Sequence, residues 1–587
     1  MKYPTLPEQN ITRELIDTFR GYNHNLRIAE GEFYNMGNMS SDYFPLIAPR
    51  QQRGTFVSSG NINGMIAKDE LCYVDGTEFV KGTQRIEMGL TDTPKELISM
   101  GAYVIILPDK KYINTTDLTD YGNIEASFET LGQYTFSCAL CRESGEQYQI
   151  RDVGDTEPTT IAEGVFWLDT STTPAVLKQY SETTASWNVV SPTYVKLNLG
   201  MDTTEMGGIE EMFNVGDTVE ISGLPANNGL DRLNGNRLIV NRTDLSIIVE
   251  GIIDSNGTGG VSAVTVKRTM PIMDFVFESG NRLWGCRYGE NTAGEFVNEI
   301  YASKLGDFRN WSSYLGISTD SYTASLGTNG AFTGAVSYMG YPIFFKENCM
   351  HKVYGNNPPY TIQDTACRGV QSGSSKSLAI VNEVLYYKSI YGVCAYDGSL
   401  PIEISNALGG TEYSNAVGGA YGNKYYISMK DKSNVYHLFV YDTAKGMWHR
   451  EDNANITQFC PLGNEMYYTD SLYNSIKTIF GGGTVETAPI NWHIETGIIG
   501  FDSPDKKYIL NLIIRLSLEL GARVFFYIQY DSCGTWEHIY TVSSTNLRSI
   551  NVPIRPHRCD HFRLKITGEG YSKIYSICKT LEEGSNL

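Results

Sequence analysis

The sequence predicts an all-β chain: a β-propeller of about seven blades, an inserted small β module and a C-terminal β-sandwich. Three observations carry this. Short runs rich in Val, Ile, Tyr and Phe alternate with Gly, Asn and Asp, the pattern of strands joined by tight turns. Helical spacing of apolar residues is brief, as in residues 12–19. A unit made of an apolar lead-in, a Gly/Asn turn and an aromatic-rich strand recurs, with turns at Gly340, Asn382, Asn423 and Asn464, separated by 42, 41 and 41 residues. Units of this length with four short strands are propeller blades, because one four-stranded sheet cannot bury both faces alone and radial packing covers them. The alternative organisation is a run of hairpins folded into sandwiches.

Residues 1–57 have little periodicity and many turn formers, and read as an extended N-terminal arm that crosses the propeller or pairs with its last blade. Residues 58–123 hold two blade candidates, INGMIAKDELCYVDGTEFVKG and LISMGAYVIILPDKKYINTT. Residues 124–270 interrupt the repeat and read as inserted β module(s), placed where insertion at a loop tip costs little. Residues 271–483 resume the blades, the first turning at Asn281 with a second hairpin expected over residues 300–311; two plus five units give about seven, with six or eight as alternatives. After Gly481, Gly482 and Gly483 the period is lost, and residues 484–587 alternate like a β-sandwich or jelly roll.

Composition narrows function. Lys+Arg is 47 and Asp+Glu 66, a net charge of −19, which argues against a broad grip on a nucleic acid backbone but fits a wall that DNA slides past. No apolar run approaches the ~20 residues of a membrane helix, and the N-terminus has no secretory h-region, so no membrane anchor is expected. The 11 cysteines are read as reduced and mostly buried.

Three features resemble the propeller-containing tail nozzle and tail-hub virion proteins of short-tailed bacteriophages, including tubular tail and stabilisation proteins. Phe19-Arg-Gly-Tyr-Asn23, then Gly37-Asn-Met-Ser-Ser-Asp-Tyr-Phe-Pro45 and Pro49-Arg50, looks like the opening segment of such proteins. Trp167-Leu-Asp-Thr-Ser171 with Pro174, Leu177, Lys178, Tyr180 and Trp187 is similar to small β elements of phage tails. The third is the order propeller, insert, sandwich. The resemblance implies a structural part of the virion tail, made in the host cytoplasm. Copies of the chain, six by this likeness, form a ring around the DNA channel and contact the tail adaptor, fibres or baseplate, while phage DNA passes without specific binding. Two other functions stay open: a distal baseplate or receptor-binding protein, and a propeller glycosidase.

Site chemistry is sparse, and the expectation is a chain that is not an enzyme. Asp531-Ser-Cys-Gly-Thr-Trp536 has the look of a sialidase Asp-box but one residue too many before its Gly, and reads as a fold turn. Glu210/Glu211 and Asp202/Glu205 are carboxylate pairs of the insert, read as solvated turns although glycoside hydrolysis needs two facing carboxylates. His557, Cys559, Asp560 and His561 form the one dense cluster of metal-ligand types, with Pro553 and Pro556 favouring a turn. Cys138/Cys141 is a lone CxxC. Asp254-Ser-Asn256-Gly is a fragment of an oxygen-rich loop without the Glu that Ca²⁺ loops need. His449 reads as packing or surface, and Asn310-Trp-Ser312 as a chance sequon. No nucleotide loop, GxSxG or HExxH occurs. No catalytic, cofactor-binding or metal residue is therefore assigned, and no cofactor is expected.

Overall fold

The computed structural model describes residues 11–130, 135–159, 162–199, 209–261, 263–472, 474–500, 505–543, 546–555 and 557–583. They are almost entirely β, in mostly antiparallel sheets. Seven sheets, numbered here I to VII, follow one another along the repeat. Sheet I runs Ile62–Ala67, Leu71–Asp75, Glu78–Lys81 and Gln84–Glu87. Sheet II runs Glu96–Met100, Tyr103–Leu107, Lys111–Asn114 and Tyr121–Asn123. Sheet III runs Phe275–Ser279, Arg282–Glu290, Phe296–Ala302 and Tyr322–Ser325.

Sheet IV runs Gly334–Tyr338, Tyr341–Lys346, Cys349–Tyr354 and Thr361–Ala366. Sheet V runs Ala379–Val381, Val384–Lys388, Val393–Tyr396 and Ile402–Glu403. Sheet VI runs Tyr413–Tyr421, Lys424–Asp431, Tyr436–Asp442 and Met447–Arg450. Sheet VII takes Ile456–Leu462, Glu465–Asp470 and Ser475–Thr478 from the repeat, and its fourth strand, Gly54–Val57, from the other end of the sequence.

Alternation of apolar residues on these strands fills the space between neighbouring sheets. Cys72, Val74 and Phe79 of I meet Val104 and Ile106 of II. Ile98 and Ile105 meet Val276 and Leu283 of III. Trp284 and Ile300 meet Phe344 and Val353 of IV, and Ile343 and Phe345 meet Leu385 and Tyr387 of V. Val381 and Tyr386 meet Tyr425 and Ile427 of VI, and Tyr426 and Leu438 meet Met466 and Tyr468 of VII. Finally Cys460 and Ile476 of VII meet Met65 and Leu71 of I. Fully burying one such side chain is worth about 1.5–3 kcal/mol.

One element differs from the sequence expectation. Residues 300–311 are not a hairpin: Phe296–Ala302 pairs with Tyr322–Ser325, and a loop lies between them. Arg282 holds that loop. Its guanidinium, buried at 2% exposure, donates to the carbonyls of Ser303 (2.7 Å), Asp320 (2.5 Å) and Ser318 (2.9 Å). The loop's carbonyls are satisfied by one cation rather than by a ladder, so strand patterning does not report it.

The N-terminal segment is divided among several sheets, and its last strand, Gly54–Val57, pairs with sheet VII, one of the two placements expected for it. Ile11–Ile16 pairs with Ser572–Glu583, Tyr22 with Trp448 of sheet VI, and Glu32–Gly37 with Asn491–Thr496. Sheet VI thereby continues through Gly21–Tyr22 and Glu32–Gly37 into Asn491–Thr496, Phe562–Glu569, Arg523–Tyr530 and Glu537–Ser543 as one ten-stranded sheet. A second sheet, Ile11–Ile16, Ser572–Glu583, Lys507–Leu518 and Arg548–Val552, shares one core with it through Ile494, Ile514, Phe526 and Ile566.

The insert is an eight-stranded sheet and a four-stranded sheet over one core that includes Leu140, Leu168, Leu177, Val195 and Ile247. In the four-stranded part, Trp187 meets Trp167 and Tyr180 edge-on, both at 5.4 Å.

Candidate functional site

The first strands of sheets II, III, VI and VII, with the segment just before sheet V, wall a central cavity of about 650 Å³. That lies in the size range of small-molecule sites. Met273, Phe275, Val417 and Phe459 give it apolar walls, and Glu96, Asp274, Ser375, Lys376 and Gln458 its polar groups. Glu96 is the first residue of its strand, and Asp274 stands directly before Phe275–Ser279. These two strands touch, and both acidic residues line the one cavity.

Their surroundings differ. Glu96 is open to the water of the cavity, but the surrounding walls displace bulk solvent. That burial pushes its carboxyl up to about 7, opposed by the nearby charge of Lys376. Lys376 donates to the Thr457 carbonyl at 3.3 Å. Asp274 is fixed at both oxygens, accepting from Arg287 Nη1 at 2.7 Å and from the Tyr288 backbone N–H at 2.8 Å. Gln458 accepts the Met65 backbone N–H at 3.0 Å and donates to the Met65 carbonyl at 2.7 Å, so it binds VII to I.

Beneath the wall, Lys95 is paired with Asp109 at 2.9 Å and held by Thr91 and Thr93. Lys110 pairs with Glu125 at 2.7 Å. The sequence reading missed Glu96 and Asp274. With 66 acidic residues, the one signal was position, a carboxylate at the start of a strand that faces the centre.

A second site lies where Gly54–Val57 enters sheet VII. Arg53, 3% exposed, donates to Glu451 at 2.6 Å, pairs with Asp452 at 2.5 Å and reaches Tyr468 Oη at 3.3 Å. Burial opposes its charge, but Asp452, Tyr468 and Glu451 hold it well above the usual range. Burial likewise opposes ionisation of Asp452, and Arg53 and Arg50 overcome it, holding the carboxyl low. The Gly481–Gly483 run now has a physical role. A Cβ on Gly54 would lie 1.8 Å from the Gly482 carbonyl oxygen, and one on Gly483, at φ +78°, would lie 2.4 Å from the Thr55 carbonyl.

The residues singled out in sequence have structural partners. Asp531 turns the chain with φ +45° and accepts from the backbone N–H of Asp560 at 2.7 Å. His557 packs at a tilt against the Tyr530 ring at 4.4 Å, and Cys559 is buried with its thiol pushed up to about 11. His561 bonds Ser532 at 2.7 Å and Asp560 at 2.8 Å, so this cluster does not converge. Among the described residues no group of three or more His, Cys, Asp or Glu could hold a metal.

Glu210 sits 3.7 Å from Arg242, while the Asp202/Glu205 pair and Pro556 lie outside the described residues. Asp254 pairs with Arg232 at 2.7 Å, which lowers its pKa, and Asn256 accepts from the Leu140 N–H. Cys138 and Cys141 are free and buried. His449 is buried, which drives it down to about 3 and keeps it neutral. Asn310 is fully buried and binds the Thr218 N–H at 2.8 Å, docking the insert on sheet III.

One cluster was passed over in sequence. His351 Nδ1 lies 2.5 Å from Asp364 Oδ1, and its Nε2 lies 3.1 Å from Thr328 Oγ1 and 3.7 Å from Cys349 Sγ. Burial raises the Cys349 pKa and lowers that of His351, so the pair is neutral, the reverse of an activated thiol.

No family model matches this chain, and no curated protein matches it. Solved structures do. An exo-β-1,3-galactanase from Phanerochaete chrysosporium matches at 10% identity and TM-score 0.21, over 52% of this chain and 94% of its own. A mutant of Trypanosoma rangeli sialidase displaying trans-sialidase activity matches at 7% identity and TM-score 0.18, over 98% and 96%. The extracellular domain of a hybrid two-component system from B. thetaiotaomicron matches at 9% and TM-score 0.15, over 92% and 98%. Against the expectation of a chain without enzymatic activity, two of these three matches are enzymes. TM-scores this low transfer no substrate and no mechanism.

Proposed function

We propose that the chain is a ring-forming structural component of a bacteriophage tail, a nozzle or hub around the DNA channel, whose body is a closed seven-bladed propeller. The observation that carries this reading is the seam made by the N-terminal segment. The residues that carry the resemblance join propeller to sandwich: Ser41 donates to Asp442 at 2.6 Å and Asp42 pairs with Lys424 on sheet VI, while Asn38 donates to the Asn491 carbonyl at 2.8 Å and Tyr43 meets Tyr571 edge-on at 6.1 Å. Apolar seams between all seven neighbouring sheets, VII against I included, support the closed ring of blades. A block joined in this way suits a part that bears load without changing shape.

In this reading six copies ring the axis through heterologous contacts, each docking one patch on a different patch of the next. Tail adaptor, fibre or baseplate proteins bind outside the ring, and DNA passes an acidic chain that does not grip phosphate. Cryo-imaging of the assembled particle tests this. Density for the chain ringed around the channel is the expected result. Copies found only at fibre tips would replace it with the receptor-binding reading, and absence from the particle overturns both.

A further inference from the structure

The central cavity carries chemistry that a frame does not require. Its two acidic lining residues stand at the starts of two touching strands and are held in contrasting ways. Asp274 is locked by Arg287 and a backbone N–H, whereas Glu96 has no neighbouring hydrogen-bond donor holding it and faces Lys376 across open volume. The other charges packed near Glu96 are spoken for: Lys95 by Asp109, and Lys110 by Glu125. No cysteine or histidine is among the lining residues, so the chemistry on offer is that of carboxyl, ammonium, amide and hydroxyl groups beside apolar walls. Two carboxyl groups in different environments within one cavity are what acid–base cleavage of an acetal needs.

We propose that this cavity hydrolyses a glycosidic bond at the end of a pyranoside chain, with Glu96 as proton donor and Asp274 as proton acceptor. Glu96 gives its proton to the bridging oxygen, which leaves with the bonding pair as its bond to the anomeric carbon breaks. A water oxygen forms the new bond to that carbon, and its proton passes to Asp274. Solvent then returns one proton to Glu96 and takes one from Asp274, so the net co-reactant is water. Phe275, Phe459 and Met273 supply the apolar faces on which a sugar ring lies, and Lys376 and Gln458 stand within the same walls as its hydroxyl partners. A carboxyl that titrates near neutrality is half protonated there and can act as an acid.

The test uses the full chain with 4-methylumbelliferyl glycosides of glucose, galactose, N-acetylglucosamine and sialic acid, and with reducing oligosaccharides of the same sugars. At least one pair is expected to turn over, with an alkaline limb near pH 7. Glu96→Gln is expected to lower kcat/KM on the oligosaccharide by about 10²–10⁴-fold and to affect the aryl glycoside less, because its phenolic leaving group needs less protonation. Asp274→Asn is expected to slow both substrates. Thermal melting of each variant separates loss of chemistry from loss of fold. No turnover of any glycoside, or turnover unchanged in a folded Glu96→Gln, overturns the proposal. Neither result bears on whether the chain rings a tail axis, which imaging decides.

Discussion

The seam between sheets IV and V and the seam that completes sheet VII are built differently. The first is apolar: Ile343 and Phe345 pack on Leu385 and Tyr387, all from hairpins near each other in sequence. The second brings a strand from residues 54–57 to residues 475–478 and fixes it with Arg53, Glu451 and Asp452. Local hairpins need only side-chain complementarity. A strand recruited from far along the chain is also held by directional charge pairs, whose loss leaves buried ions unpaired.

That contrast can be broken most severely at Arg53. Arg53→Ala leaves buried Glu451 without its cation and Asp452 with Arg50 alone, and is expected to cost about 3–5 kcal/mol, read as a shift in the urea midpoint. A cost below about 1 kcal/mol would assign the closure to apolar contacts alone. Ile343→Ala in the apolar seam is expected to cost about 2–4 kcal/mol by leaving a cavity.

Acid separates the two. The Asp452 carboxyl is held below its ordinary value, so its contribution is full above the unfolded carboxylate range and is lost as pH falls through the folded value. The penalty of Arg53→Ala should therefore shrink in acid, while that of Ile343→Ala should not. His449 adds to the acid sensitivity of sheet VI: lowered from 6.5 to about 3, it withdraws stability as pH falls between those values. Equal pH dependence of the two variants in urea melts would remove the distinction.

Smaller effects sharpen it. Gly54→Ala forces a methyl onto the Gly482 carbonyl and is expected to cost about 1–3 kcal/mol by differential calorimetry. Replacing residues 126–268 with a short Gly/Ser linker should leave the seven sheets folded, at about 1 kcal/mol for the hydrogen bond from Thr218 to Asn310. Ala126 and Arg268 are already strand neighbours, so the linker spans a short gap. Loss of the cooperative melt would make the insert part of the propeller core.

The repeat was readable because each unit spends its sequence locally. Asn281 at φ +60° and Asn382 at φ +48° stand at hairpin turns that demand a left-handed residue, and aromatic strands follow at fixed distance. What was not readable depends on partners remote in sequence. Beyond a pairing with the last repeat unit, nothing about residues 11–57 announces that their strands split among the sheet of Ser572–Glu583, the ten-stranded sheet, a two-stranded sheet of their own and sheet VII. The loop after Ala302 looked like strand because the residue that shapes it, Arg282, lies a whole strand earlier. Glu96 was lost among many acids because only the third dimension places it opposite Lys376 and beside Asp274.

The pairing of Ile11–Ile16 with Ser572–Glu583 bears on how the molecule is made. Arg13 reaches Cys578 across 565 positions. During synthesis the emerging hairpins of sheets I to VI can form in turn. Ile11–Ile16, however, waits for a mate made some 565 positions later. Until then it presents an unpaired edge, a template for the wrong neighbour. A nascent chain halted before residue 572 would thus display its adhesive edge to every other copy nearby.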